Sequence, residues 1–198
     1  MSKMTTDNYK KHTHKNPIQR YLIANFYKGF ISEVRNAHPK TILDVGCGEG
    51  FTLDLLRKEK IGEKLEGVDF LKTAIDIGKK ERPYLTLKEG TIYDLPYKDN
   101  AFDLVICSEV LEHLEDPKKA LSELHRVTKK HVVLSVPNEP WFMLANFIRG
   151  KNWSRWGNDI EHINHWSTGA FEKFVGKKFK ILTVRRPFAW TLLTAEKR

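Results

Sequence analysis

The chain has 198 residues, 40% hydrophobic and 11% aromatic, which suffices for one domain with a buried core and excludes a disordered chain. Its formal charge of +9 favours an anionic partner only weakly, because the lysines and arginines are spread along the whole chain. Two cysteines, Cys47 and Cys107, exclude a disulfide framework and fit a reducing compartment, and no apolar run reaches membrane-spanning length.

The first sixteen residues are polar and basic, lack the apolar stretch of a secretory signal, and are expected to form a flexible arm. A cytoplasmic protein with no stable membrane insertion is the expectation. From Pro17 to Val34 apolar residues recur at helical spacing (Ile18, Leu22, Ile23, Phe26, Phe30, Ile31), which predicts an N-terminal helix over 17–36. Strand and helix signals then alternate. Strands are expected over Thr41–Cys47, Leu65–Phe70, Leu85–Ile92, Phe102–Ser108 and His131–Val136. Helices are expected after Gly50, over 71–80, and from Pro117 to Lys129 with Asp116 as N-cap. Continuous apolar strands interleaved with helices imply a parallel sheet covered on both faces. The tail differs, since Lys180–Arg185 and Trp190–Ala195 are joined too briefly for anything but a hairpin. The expected fold is therefore α/β: a doubly wound, Rossmann-like, mostly parallel seven-stranded sheet with an antiparallel C-terminal edge hairpin. All of 1–198 is read as a single domain.

The first strand breaks into Gly46-x-Gly48-x-Gly50, at the carboxyl end where open parallel sheets bind ligands. A dinucleotide fingerprint needs its third glycine at position 51, which is Phe51, and no Gly-Lys-Ser/Thr follows to make a phosphate loop. The turn therefore suits a nucleoside with some other tail. Asp69 ends the second strand about twenty residues on, where a carboxylate accepts ribose hydroxyls, and Asp44 could orient a bound cation such as an amino or sulfonium group. Each alone would be an ordinary loop-capping aspartate.

In order along the chain, ILDVGCGEG, GVDF, GTIYDLPYKDNAFD and LVICSEVLEHLEDP resemble the motifs of class I S-adenosylmethionine-dependent methyltransferases of the type 11 kind, over residues 38–140. The resemblance implies S-adenosylmethionine as cofactor, with contacts from Asp44, Gly46, Cys47, Gly48, Gly50, Asp69, Phe70, Thr91, Ile92 and Ser108. Where the family has Gly-Asp-Ala after the third strand, this chain has Gly90-Thr91-Ile92. Thr91 thus replaces the carboxylate that meets the adenine amino group, or Asp94 takes its place.

Methyl transfer needs mainly alignment, and a base only where the acceptor must lose a proton. His113 is the candidate catalytic residue. Glu109, Glu112 and His113 would share one face of a helical turn, and His162 and His165 share another. One reading is a divalent metal completed by His162 or His165, as in RNA 2′-O-methyltransferases that use one. The other is a strand-to-helix packing element, preferred because so short a motif often arises by accident, and no metal ligand is assigned. Residues 139–166 hold four of the five tryptophans together with Arg149, Lys151 and Arg155, and read as a substrate lid. The N-terminal helix would form the opposite wall, with Tyr21 or Arg20 near the cofactor. The expected function is methyl transfer to a small-molecule acceptor, aromatic or lipid-like. The alternatives are an RNA acceptor and a non-catalytic S-adenosylmethionine-binding protein.

Overall fold

A computed structural model describes residue 9 and residues 16–139, 141–148 and 162–198. Most of the expected arm over 1–16 and half of the expected lid lie outside the described residues. Along the chain run α1 (Pro17–Asn36), β1 (Thr41–Val45), α2 (Phe51–Lys58), β2 (Lys64–Asp69), α3 (Lys72–Glu81), β3 (Thr86–Glu89) and β4 (Phe102–Ser108). A single 3₁₀ turn (Leu111–His113) follows, then α4 (Pro117–Val127), β5 (Thr128–Pro137), α5 (Trp141–Ile148), α6 (Thr168–Val175), β6 (Phe179–Arg185) and β7 (Trp190–Lys197).

The strands form one sheet in the order β3-β2-β1-β4-β5-β7-β6. The pairs from β3 to β5 are parallel, whereas β7 runs antiparallel to both β5 and β6. The order reverses between β1 and β4, so the carboxyl ends of these two strands flank the crevice in which open sheets hold ligands.

Both faces are covered, and strand alternation decides which side chain goes where. Leu43, Val105, Cys107, Val132 and Leu134 join α4 and α6 in one core, with Leu124 and Phe171 fully buried. Ile42, Leu104, Ile106, Val133 and Leu192 face the other way, against Phe26, Phe30 and Val34 of α1. On this second face the apolar rows turn polar at their carboxyl ends: Ile42 gives way to Asp44, Ile106 to Ser108, and Val133 to Ser135. The site begins where the core stops.

Two details anchor α1. Asn16 caps its N-terminus by accepting from the backbone N–H groups of Ile18 and Gln19. The buried Glu33 accepts hydrogen bonds from Thr183, Arg185 and Thr194 on the hairpin. Burial alone would raise that carboxyl, yet these donors hold it below its ordinary value. At the start of α4, Asp116 accepts from the Lys119 N–H at 3.0 Å, as the sequence predicts.

Several boundaries differ from expectation. β1 stops at Val45, because Gly46 turns into the left-handed region, so Cys47 belongs to the glycine turn. β3 is only four residues long, since Gly90 and an isolated Thr91–Asp94 bridge end its pairing early. Helix α6, with Ser167 as its cap, was not expected, because its apolar pattern is short. Among the described residues, no helix is long and apolar enough to cross a membrane.

Candidate active site

The glycine turn is shaped by close approach. Gly46 has φ +80°, and a Cβ there would stand 2.2 Å from Cγ2 of Val110. Its N–H and that of Cys47 both donate to the Val68 carbonyl, at 2.8 and 3.2 Å. Gly50, at φ +84°, caps α2, where a Cβ would crowd Leu85. The turn is thus locked against β2 and the segment after β4, leaving its rim to a large cavity.

That cavity measures about 940 Å³. Of the ten sequence-predicted cofactor residues all but Gly50 line it: Asp44, Gly46, Cys47, Gly48, Asp69, Phe70, Thr91, Ile92 and Ser108. Asp69 at the end of β2 accepts from the N–H groups of Gly48 and Leu71, each at 2.8 Å. Burial outweighs these donors and raises its carboxyl. Asp44 is 3% exposed, and among the described residues no hydrogen bond or ion pair to its carboxylate is seen. Burial, and after it the charge of Asp69, push its carboxyl up to about 7. A buried carboxylate facing a cavity without a cationic partner is a site that a positively charged ligand would complete.

The thiols are different. Burial raises both Cys47 and Cys107 well above the usual range, which makes them inert packing residues rather than nucleophiles. Thr91 lines the cavity but spends its hydroxyl on the Tyr93 N–H, at 3.2 Å. Asp94, bridged to Thr91, does not itself line the cavity. Phe70 is 79% exposed at the mouth, presenting a flat ring there.

The second wall corrects the sequence reading. Neither Tyr21 nor Arg20 lines the cavity: both sit on the outer face of α1, and Tyr21 is 71% exposed. One turn further along, Ile23, Phe26 and Tyr27 form the wall instead. Tyr27 shares a hydrogen bond of 3.3 Å with Thr52, and burial pushes its phenol up to about 12, so it stays protonated. Trp190, from the start of β7, packs its ring on Phe26 and closes this side. Sequence reasoning missed all of these, since α1 and β7 lie some 160 residues apart in a chain of 198.

Glu109 was also misplaced. It adopts φ +59°, unusual for a residue with a side chain, and does not share the turn that follows. Its carboxylate accepts from Trp190 Nε1 at 2.6 Å and from the Ser135 hydroxyl at 3.0 Å, and Ser135 in turn meets Ser108 at 2.7 Å. Glu109 therefore ties together the ends of β4, β5 and β7, and does not join Glu112 and His113. The side chains whose ligand atoms do lie within 4.8 Å of one another are Glu112, His113 and His162. His165 stands apart from these, with its Nδ1 3.7 Å from Glu139 Oε1. His113 alone of the three lines the cavity.

Residues 43–136, which carry the turn, both aspartates and this cluster's first half, match the family model of the methyltransferase domain. That match makes residues 43–136 a methyltransferase domain, of the kind that uses S-adenosylmethionine. This domain is 36% identical over 100 residues to a demethylmenaquinone methyltransferase of Streptomyces avermitilis, covering 50% of this chain and 42% of that protein. It is also 36% identical over 95 residues to norajmaline N-methyltransferase of Rauvolfia serpentina, covering 45% and 32% respectively. The chain thus spans well under half the length of the curated relatives it matches. The methyltransferase fold recurs in the crystal structure of magnesium protoporphyrin IX methyltransferase from Synechocystis with bound SAH, at TM-score 0.71 and 17% identity, covering 98% of this chain and 95% of that one.

Proposed function

We propose that this methyltransferase domain transfers the methyl group of S-adenosylmethionine to a small, ring-bearing, largely apolar acceptor in the cytoplasm. The observation that carries this reading is the division of one cavity into two unlike walls. Asp44, Asp69 and the glycine turn make one wall, and Ile23, Phe26, Tyr27 and Trp190 make the other.

The residues fit the cofactor. Asp44 offers a buried carboxylate to its cationic end, Asp69 an acceptor pair to its ribose, and Gly46 a backbone surface that no side chain could leave open. When bound, the cofactor supplies an electrophilic methyl group on a positive sulfur. The protein aligns the acceptor and excludes water. The apolar wall would desolvate a ring, and His113 at its edge would take a proton from an acceptor that must lose one. The names of the relatives, which concern a quinone precursor and an alkaloid, agree with a ring-bearing acceptor. The net charge of +9 supports RNA as the second reading, since an anionic polymer would be drawn to such a surface.

Calorimetric titration of S-adenosylmethionine and S-adenosylhomocysteine tests the reading. Both are expected to bind, and Asp69→Ala is expected to weaken binding at least a hundredfold, because a buried acceptor pair is lost. Failure of both ligands to bind the wild type would sink the proposal. Turnover on RNA but on no quinone, phenol or amine would replace the acceptor and keep the cofactor.

A further inference from the structure

Beside the cavity, and outside the cofactor-facing residues, lies a group of charged and imidazole side chains too well built for chance packing. Glu112 is 1% exposed, and His113 Nε2 stands 3.9 Å from its Oε1. His162 comes from nearly fifty residues later, yet its ring meets that of His113 at 5.1 Å between centroids. Four hydrogen bonds hold it there. The N–H groups of Ile163 and Asn164 both donate to the Glu112 carbonyl at 2.9 Å, and the Asn164 amide donates to the carbonyls of Leu111 and Leu114. The segment carrying His162 is thereby clamped onto the 3₁₀ turn that carries Glu112 and His113.

Behind His162 stands a second carboxylate. Glu139 and His162 are each more than nine-tenths buried, and Glu139 Oε1 faces His162 Nδ1 at 3.5 Å. Neither atom has a hydrogen-bond partner of good geometry among the described residues. A carboxylate set behind an imidazole nitrogen, once the contact closes to a hydrogen bond, fixes the tautomer and turns the other nitrogen outward, the arrangement that supports histidine as a metal ligand.

We propose that Glu112, His113 and His162 bind a divalent cation, with Glu139 orienting His162 from behind. Two imidazoles and one carboxylate make a mixed nitrogen and oxygen set suited to a first-row cation such as Mn²⁺, Co²⁺ or Zn²⁺. Three protein ligands leave coordination positions open, and His113 lines the cavity, so an oxygen atom of the acceptor would occupy one of them; with the cation bound, it is the cation that would acidify this oxygen, in place of a free His113 imidazole acting as base. This last point, the role toward the acceptor, rests on the proposed function; the cation site itself does not.

The test is titration of Co²⁺ into the tag-free, chelator-treated full chain, followed by visible absorbance. One equivalent is expected to bind, with bands of a mixed-ligand site. Glu112→Gln and His162→Ala are each expected to weaken binding at least tenfold, and Glu139→Gln by about tenfold. Glu109→Gln should leave it unchanged, since Glu109 is engaged by Trp190 and Ser135. Circular dichroism melts of each variant without metal check folding, and Co²⁺ should raise the melting temperature of the wild type but not of Glu112→Gln. S-adenosylhomocysteine binding, measured separately, reports on the cofactor reading alone. Absence of stoichiometric binding by the wild type overturns the proposal. So does binding that survives both Glu112→Gln and His162→Ala, which would place the cation elsewhere among the eight histidines.

Discussion

The two walls of the cavity are built by opposite means. The cofactor wall is mostly backbone, taken from strand ends within some fifty residues: a turn with φ +80° and +84° at Gly46 and Gly50, N–H groups on Asp69, and the buried Asp44. The acceptor wall is mostly side chain, gathered from α1, the segment after β4 and the start of β7. A backbone wall tolerates almost no substitution and serves one ligand. A side-chain wall can be re-cut without disturbing the other, which is how one fold serves many acceptors.

The sharpest way to break this comparison is at Gly46. Alanine there would meet Val110 at 2.2 Å on a backbone with φ +80°. Gly46→Ala is expected to destabilise the domain by about 3 kcal/mol through strain and overpacking, and to abolish S-adenosylhomocysteine binding in calorimetry. Binding within a few-fold of wild type would show that the turn is not held rigid by its neighbours.

Next in size is the response of the cofactor wall to pH. The folded apoprotein holds the Asp44 proton to about pH 7, whereas an unfolded chain releases it near pH 4. The native state therefore binds more protons over this interval, and Asp44 lowers the apoprotein's stability as pH rises from about 4 to about 7, by about 4 kcal/mol at most. A cationic ligand favours the ionised form, so its affinity should move the opposite way. S-adenosylmethionine binding is expected to strengthen about fivefold between pH 6 and 7, to gain about another twofold by pH 8, and to level off above. In Asp44→Asn the curve should be flat and the affinity low throughout. A wild-type affinity that does not change with pH would mean that Asp44 does not face the positive end.

On the acceptor wall, Trp190→Phe keeps the ring on Phe26 and removes the donor to Glu109. Chemical denaturation should show a loss of about 1–3 kcal/mol, the cost of leaving a part-buried carboxylate with one partner fewer. S-adenosylhomocysteine affinity should stay within about threefold. If it collapses, the two walls are one unit and the comparison fails.

The unequal legibility of the walls in the sequence has the same origin. Glycines and aspartates at strand ends announce a backbone wall, because their spacing is local and their chemistry has few other uses. The sheet was legible for a similar reason: apolar runs such as Phe102–Ser108 carry their burial in their own composition. The acceptor wall leaves no such trace. Ile23, Phe26 and Tyr27 read as any amphipathic helix, and which turn of it meets the cavity depends on Glu33 pinning α1 to the hairpin. Glu109 looked like the partner of Glu112 on a helical turn. Its positive φ, which throws it toward Trp190, follows from contacts across the sheet that no local pattern contains.

Thr91 gives the smallest effect. Its hydroxyl faces the cavity where the family's motif has an aspartate, and the Tyr93 N–H that it accepts would be accepted equally well by a carboxylate. The position is exposed and lies four residues before Leu95 anchors the loop to the core, so a larger polar side chain meets no crowding from a buried neighbour. Thr91→Asp is therefore expected to leave stability within about 0.5 kcal/mol of wild type. A solvent-facing carboxylate beside an exocyclic amine adds one charge-assisted hydrogen bond that water partly replaces, so calorimetry should read a two- to five-fold gain in S-adenosylhomocysteine affinity. A gain of that size would place the adenine beside Thr91 and Ile92. A loss would mean that the ring lies elsewhere along the rim, against Phe70, and that the cofactor wall ends one strand sooner than its backbone suggests.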